Sequence, residues 1–415
     1  MLGLKNFFLS KYVIISPRTN SFGGVFEFYL GIKFANFQKK KFVFAVPLIN
    51  LHPKHKKKRI FGLYLIYYAY KKLDFISKLI SFFFTLVLNI NLLLIKSNIL
   101  TVLDYVFFNK KKKIRDYFPM YYGYDFGDTK FQEFYENQKK NNLDIGINWN
   151  NLLYSNIDEY IPKADIKKSQ IIVFIKDINY HKLVAQGSKD ATSDIENYRE
   201  SFNLLLNNNY VIHRAGDKTQ KSFNITHKNF LDSTKRNYSL KTQYHNYLNS
   251  EIYFGNGGST LQISGFFKKP RILSNLSFEY LWHPTDQFSH KDMMIFKKVY
   301  CKKNMKILSF QEILNLDLDY LKNKDNFILL ENNKTEITDL TKVFLQTREE
   351  KRLENFTMAK EFNQLIKNFN EKNIERSIIY KIYNSSYYMV PDFFLKKYLY
   401  PNENLIKESL DIKFN

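Results

Sequence analysis

The sequence predicts an α/β protein built on doubly wound parallel sheets, and three observations carry that prediction. Short β-branched runs alternate with amphipathic stretches of helical spacing, the pattern of βαβ units. Several runs, such as IIVFI, are apolar throughout, as strands buried on both faces are. Glycine, polar or charged residues close them, and in open α/β sheets that carboxyl edge is where ligands bind. At 415 residues the chain exceeds one ordinary core and is expected to form two domains.

Composition narrows the class. Hydrophobic residues make up 45% and aromatics 17%, enough apolar surface to offset the entropy of ordering. A net charge of +23 points toward nucleic acid or an anionic membrane surface. The excess of Lys, Asn, Ile, Phe and Tyr has the look of AT-rich coding, however, and the basic residues are widely spread. Two clusters stand out, KHKKKR at Lys54 to Arg59 and KKKK at Lys110 to Lys113. They flank the most apolar part of the chain, which favours a membrane surface, and no nucleic-acid partner is expected. Cys301 is the only cysteine, so a disulfide within the chain and a thiolate zinc site are both excluded. Met1 to Phe8 lacks the layout of a signal peptide, and a reducing, cytoplasmic location is expected.

Tyr12 to Ser16 reads as a strand. RTNSFGG leads from it into the helical pattern VFEFYLGIKFANF, and FVFAVPL follows as a second, parallel strand. Gly23 and Gly24 occupy the strand-to-helix turn, where they either let the backbone approach a ligand or serve the turn alone. Within residues 60–108 the run Leu79 to Ile95 has no charge over 17 residues, about 25 Å as a helix. It reads as a spanning helix, a buried domain helix or a monotopic patch, and peripheral association is the preferred reading. Residues 116–160 are irregular and aromatic, and the domain boundary falls near residues 155–169. This gives an N-terminal domain over 1–160, a second over 161–345 and a helical extension over 346–415.

From Ser169 the alternation is cleaner. QIIVFI is a strand ending in Lys176 and Asp177, a cation and a carboxylate on one rim. NYRESFNLLLNN, which carries Tyr198 and Arg199, is a helix with either a ligand-facing or an ordinary amphipathic surface. YVIHRA is a strand ending in Arg214-Ala215-Gly216-Asp217-Lys218, where a guanidinium and an ammonium can neutralise a diphosphate or simply lie in a solvated turn. SEIYFG leads into Gly255-Asn256-Gly257-Gly258-Ser259-Thr260 and a helix start. Backbone N–H groups there make an anion site, with Ser259 or Thr260 as hydroxyl donor or cap. Neither the P-loop nor the dinucleotide fingerprint is met. RILSN is a further strand, followed by FQEILNL and a long helical tail through EITDLTKVFLQTREEKRLENFTMAKEFNQLIKNF.

Two other constellations are set aside. Asp317-Leu318-Asp319 matches a metal-binding DxD pattern but lies among helical leucines. His283, Asp286, His290 and Asp292 have ligand chemistry but no standard zinc spacing. No metal site is expected.

Taken in order, the strand with KD, then DIENYRESFNLLLNNNYVIHRAGDK, YLNSEIYFGNGGST, FFKKPRILSN, KILSFQEIL and ENNKTEI resemble a family of bacterial GT-B-type glycosyltransferases encoded with surface-polysaccharide genes. The resemblance covers residues 169–345 and, more loosely, YYMVPDFFLKKY. It implies two Rossmann-like domains facing a cleft, the C-terminal one binding a nucleotide-sugar donor and the N-terminal one a glycan or lipid-linked acceptor, with no cofactor. Donor contacts then fall to Lys176, Asp177, Tyr198, Arg199, Arg214, Gly216, Asp217, Lys218 and Gly255 to Thr260. Glu27 and His52 are candidates for the base that deprotonates the acceptor. The chain departs from the family at Phe174-Ile175-Lys176-Asp177, where a His-Val-Arg-Asp type sequence is usual, and at Ser239-Leu240, where Ser-Asp is usual. The alternative is a catalytically inactive relative that serves glycan synthesis as a binding or assembly protein.

Overall fold

In the computed structural model, strands β1 (Tyr12–Ile15) and β2 (Lys41–Phe44) pair in parallel, Tyr12 opposite Lys41 and Ile15 opposite Phe44. The structure describes residues 11–15, 31–48, 67–96, 169–179, 192–235, 246–282, 288–347, 352–373 and 387–410, except 33, 47, 68, 72, 217, 248, 258–259, 262–263 and 265–268. Between β1 and β2, residues 31, 32 and 34–37 are helical, so this is a βαβ unit as its residue pattern predicts. It belongs to the first of two compact units, Met1–Asn156, and the second is Ile157–Asn415.

Helix α1 (Phe75–Lys96) completes the described part of the first unit. Asp74 opens it by accepting the Ser77 N–H at 2.8 Å and pairing with Lys41 at 2.8 Å. The hydrogen bond from Lys41 holds the Asp74 carboxyl well down, at about 2. Leu88, with Ile80 and Phe84, covers Tyr12, Ile14, Val43 and Ala45. Among the described residues no helix is long and apolar enough to cross a membrane.

The second unit is α/β, built on a six-stranded, wholly parallel sheet. Its strands are β3 (Gln170–Phe174), β4 (Val211–Arg214), β5 (Phe230–Asp232), β6 (Ile252–Gly255), β7 (Arg271–Leu276) and β8 (Met293–Phe296). Their spatial order is β5-β4-β3-β6-β7-β8. Counted from the first strand of the sheet this is 3-2-1-4-5-6, the order of a doubly wound mononucleotide-binding sheet. β4, β6, β7 and β8 are buried at every residue, as strands of a parallel sheet covered on both faces are. A 3₁₀ turn (Ile195–Tyr198) leads into α2 (Arg199–Asn207), whose Phe202 meets Phe223, Phe230 and Phe254 ring to ring.

After β8 the chain continues almost without pause into an antiparallel sheet of β9 (Lys298–Cys301), β10 (Lys306–Leu308) and β11 (Phe327–Leu330), with β9 central. The sequence reading places no strand between RILSN and EITDL, only the helical FQEILNL. Lys residues between short apolar triplets hide the alternation, and β10 has only three residues, too few for a period to show. α3 (Phe310–Asn315) and α5 (Lys334–Gln346) each begin with a full capping box, Ser309 with Glu312 and Asn333 with Glu336. Between them α4 (Leu318–Lys322) is capped by Asp317, which accepts the Asp319 N–H at 2.8 Å. The DxD pattern is therefore a helix cap.

The long helical tail is broken into α5, α6 (Arg352–Asn355) and α7 (Thr357–Lys372), followed by α8 (Asp392–Tyr398) and α9 (Glu403–Leu410). These helices belong to the same compact unit as the sheet. Met294 N–H donates to Met389, and Gln311 N–H to Leu399. Glu408 of α9 pairs with Lys298 at 2.8 Å and Lys397 at 3.0 Å. Burial works to raise the Glu408 carboxyl, but the bonds and charges of the two lysines outweigh it and hold it below the usual carboxylate range. A carboxylate lowered on folding contributes stability above its unfolded pKa, about 4.3, and loses it as pH falls through the folded value. The urea midpoint of Glu408→Gln should therefore lie below that of the parent at pH 7, and the gap should close between pH 5 and 3. A gap that stays constant with pH would assign the helix docking to packing alone.

Candidate functional site at the sheet switch point

β3 and β6 are neighbours in the sheet, yet β3 is followed in sequence by β4 on its other side and β6 by β7 on its own. The chain thus leaves these two strands in opposite directions, the topology at which open α/β sheets take a ligand beyond the carboxyl ends of the strands. Lys176 and Asp177 follow β3, and Gly255 to Gly257 end β6. Phe174 lies opposite Gly255 in the register. A Cβ on Gly255 would come within 2.4 Å of the Phe174 carbonyl oxygen and 2.5 Å of the Tyr253 hydroxyl. Only glycine lets the strands close here.

Asn256 fastens the two loops together. Its Oδ1 accepts the Lys176 N–H at 2.9 Å, and its Nδ2 donates to the Lys176 carbonyl at 3.2 Å and to Ser193 Oγ at 2.9 Å. The side chain is fully buried. Ser193 in turn donates its backbone N–H to the Lys176 carbonyl at 2.9 Å. This bridge ties the loops after β3 and β6 to each other through main-chain groups.

The loop after β4 is fixed just as firmly. Gly216 has φ 142°, and a Cβ there would overlap the Gln220 amide, so the turn demands glycine. Gln220 donates to the Ile175 carbonyl at 2.8 Å, and the Lys221 N–H donates to Asp177 Oδ2 at 2.6 Å. Lys221 Nζ pairs with Asp194 at 2.8 Å. Burial works to raise the Asp194 carboxyl, but Lys221 and the Glu196 N–H bring it below its ordinary value. Lys218 is exposed on this loop.

Arg214 faces inward. Its side chain is 1% exposed and pairs with Asp232 at 3.1 Å. It also donates to Thr234 Oγ1 at 3.3 Å and to the Lys221 carbonyl at 2.7 Å. Read from the sequence as a phosphate contact, this guanidinium is instead committed to β5 and the Lys221 loop, and it reaches a ligand only through the loop it positions. Burial is the largest influence on it and lowers its pKa, with Asp232 opposing.

Tyr198 lies beneath the edge. Its hydroxyl receives hydrogen bonds from Ser274 Oγ at 2.8 Å and Asn275 Nδ2 at 3.0 Å, and burial pushes the phenol up. Arg199 is on the flank, bonded to Glu196 and the Asn224 carbonyl and stacked 4.5 Å from the Phe223 ring. Thr260 is buried with its hydroxyl 3.0 Å from that of Tyr253. Lys176 itself is half-buried. The structure thus brings Lys176, Asp177, Gly216, Lys218, Gly255, Asn256 and Gly257 to one edge, with Arg214, Tyr198 and Thr260 supporting it from inside. Gly23, Gly24, Glu27, His52, Asp217, Gly258, Ser259 and the Ser239-Leu240 pair lie outside the described residues.

Several supporting residues escaped sequence reading. Asn275 and Asn332 exchange reciprocal bonds, each backbone N–H donating to the other's Oδ1 at 2.7 Å. Asn275 takes a left-handed φ of 54°, which Asn tolerates better than most residues. Buried Lys297 donates to the Thr192 carbonyl at 2.6 Å. The available signal was a polar pair, Ser274-Asn275, interrupting an apolar strand. Among the described residues no group of three or more His, Cys, Asp or Glu is placed to hold a metal ion. Asp292, from the set-aside His/Asp constellation, is bound to Arg271 at 2.6 Å. No family model matches the chain, and no curated protein or solved structure matches it.

Proposed function

We propose that this chain is a glycosyltransferase of GT-B layout that transfers a sugar from a nucleotide-sugar donor to a glycan or lipid-linked acceptor in surface-polysaccharide synthesis. The observation that carries the reading is the switch point itself. A 3-2-1-4-5-6 sheet presents a glycine-rich turn, two lysines and buried main-chain ties at the one edge where such sheets take nucleotides. The motif order over residues 169–345 supports the same reading, and with it the expectation that the two units face a cleft. In the transfer the sugar C1–O bond to the diphosphate breaks and the acceptor hydroxyl oxygen bonds to C1, its proton passing to a base. The protein's main task is to stabilise the charge left on the diphosphate. Lys218 and Lys176 supply cations, and the N–H groups after Gly255 supply donors. The nucleotide sugar is a substrate and no cofactor is assigned. The enzyme works in the cytoplasm, peripheral to the inner face of the membrane.

The test is a thermal-shift and turnover panel of nucleoside diphosphates and their sugars against the purified full chain. At about 100 Kd one donor is expected to add about 2.7 kcal/mol, and Lys218→Ala should weaken its binding about tenfold. A panel with neither shift nor turnover rejects the reading. The commitment of Arg214 to Asp232 favours a second reading, an inactive relative that binds a glycan-synthesis ligand. Under that reading a donor shifts the melting point without turnover.

A further inference from the structure

Helix α1 is amphipathic the wrong way round for a helix facing water. Its small polar residues point into the protein, along the edge of β2 that faces away from β1. Ser81 Oγ accepts the Phe44 N–H at 2.9 Å, Thr85 Oγ1 the Val46 N–H at 3.0 Å, and Asn89 Oδ1 the Leu48 N–H at 2.7 Å. Asn89 Nδ2 returns a bond to the Val46 carbonyl at 2.8 Å. The match is metrical: four residues of helix rise about 6 Å, and two residues of strand about 6.6 Å. The helix is therefore locked in rotation and cannot turn its outer face inward.

That outer face is apolar. Leu79, Phe82, Phe83, Leu86, Ile90 and Leu93 are each 48–62% exposed. No acidic residue occurs between Phe75 and Lys96. Near its start, exposed Tyr67 carries the Lys71 ammonium 4.7 Å from its ring centre, a pairing suited to headgroup depth. In the sequence KHKKKR precedes the helix and KKKK follows it, complementary to anionic headgroups.

We propose that α1 is a monotopic anchor, lying in the plane of an anionic bilayer with this face in the acyl boundary. Crossing the bilayer is ruled out by the fastening itself, since β2 and the Lys41–Asp74 ion pair would have to follow the helix into hydrocarbon. The inference deepens the peripheral location proposed above and rests on that reading for its biological setting, but not on the transfer chemistry.

Co-sedimentation of the full chain with phosphatidylcholine vesicles, with and without about one-third phosphatidylglycerol, tests it. Binding to the anionic vesicles is expected, and Phe82→Asp with Leu86→Asp should weaken it about 100-fold while leaving thermal unfolding of the chain in solution unchanged. Phe82→Ser with Leu86→Ser, which adds no charge, should weaken it at least tenfold. Three outcomes overturn the proposal: no vesicle binding, binding that both double variants retain, or a dimer in vesicle-free buffer that both abolish. No donor or acceptor is present, so failure here leaves the donor-binding test standing, and a silent donor panel leaves this one standing.

Discussion

Asp292→Ala should lower the unfolding free energy of the sheet unit by about 3–5 kcal/mol, a fall in melting temperature of about 6–20 °C for a unit of this size. Arg271 Nε and Nη2 meet the two Asp292 oxygens at 2.7 and 2.6 Å, and both side chains are at most 2% exposed. The pair ties the first residue of β7 to the loop that enters β8, and Asp292 also accepts the Ser289 N–H at 2.8 Å. Truncating the carboxylate leaves a guanidinium buried over the Phe288 ring, 5.2 Å from its centre, with its main charge partner gone. The cost comes chiefly from that uncompensated charge. Joint replacement, Arg271→Met with Asp292→Leu, should recover most of the loss, because an apolar pair of similar volume is close to neutral against a buried ion pair. Urea unfolding of the two singles and the double decides it. A single variant within 1 kcal/mol of the parent would show that water reaches the site.

β3, β4, β6 and β7 were legible because burial on both faces concentrates apolar residues in short runs, each closed by a turn residue. The Lys176-Asp177, Arg214-to-Lys218 and Gly255-to-Thr260 motifs could be ordered along one edge for the same reason. The direction of Arg214 was not legible. An arginine at a strand end looks the same whether it meets a ligand or turns inward, and the residue that decides, Asp232, closes a three-residue strand too short to show a period. Lys297 escaped notice for a related reason, since lysine is almost never fully buried unless paired, and its partner, the Thr192 carbonyl, is 105 residues away in sequence. In α1 the uncharged run was evident. That Ser81, Thr85 and Asn89 satisfy a strand edge follows only from the matched spacing of helix and strand.

Asn256→Leu should be the variant that separates site architecture from general stability. The leucine keeps the branch of the Asn side chain at Cγ, with bulkier methyl groups, but removes both faces of the amide. The Lys176 N–H loses its acceptor outright, while the Lys176 carbonyl keeps the Ser193 N–H at 2.9 Å. One buried donor left unsatisfied costs about 1–3 kcal/mol, and the lost bond to Ser193 Oγ adds about 1 kcal/mol. A total of about 2–4 kcal/mol leaves the unit folded but frees the β3 and β6 loops from each other. Donor binding, measured by calorimetry at a temperature where the variant is folded, is then expected to fall at least 100-fold, since the two loops are held by main-chain groups and not by the sheet alone. Asn256→Asp sharpens the contrast. It keeps the acceptor for Lys176 N–H but turns a second oxygen toward the Lys176 carbonyl, so it should lose comparable stability and show it most above the carboxyl's raised pKa, where the charge is buried. If Asn256→Leu binds the donor like the parent, the nucleotide does not lie between these loops, and the switch-point reading falls with it.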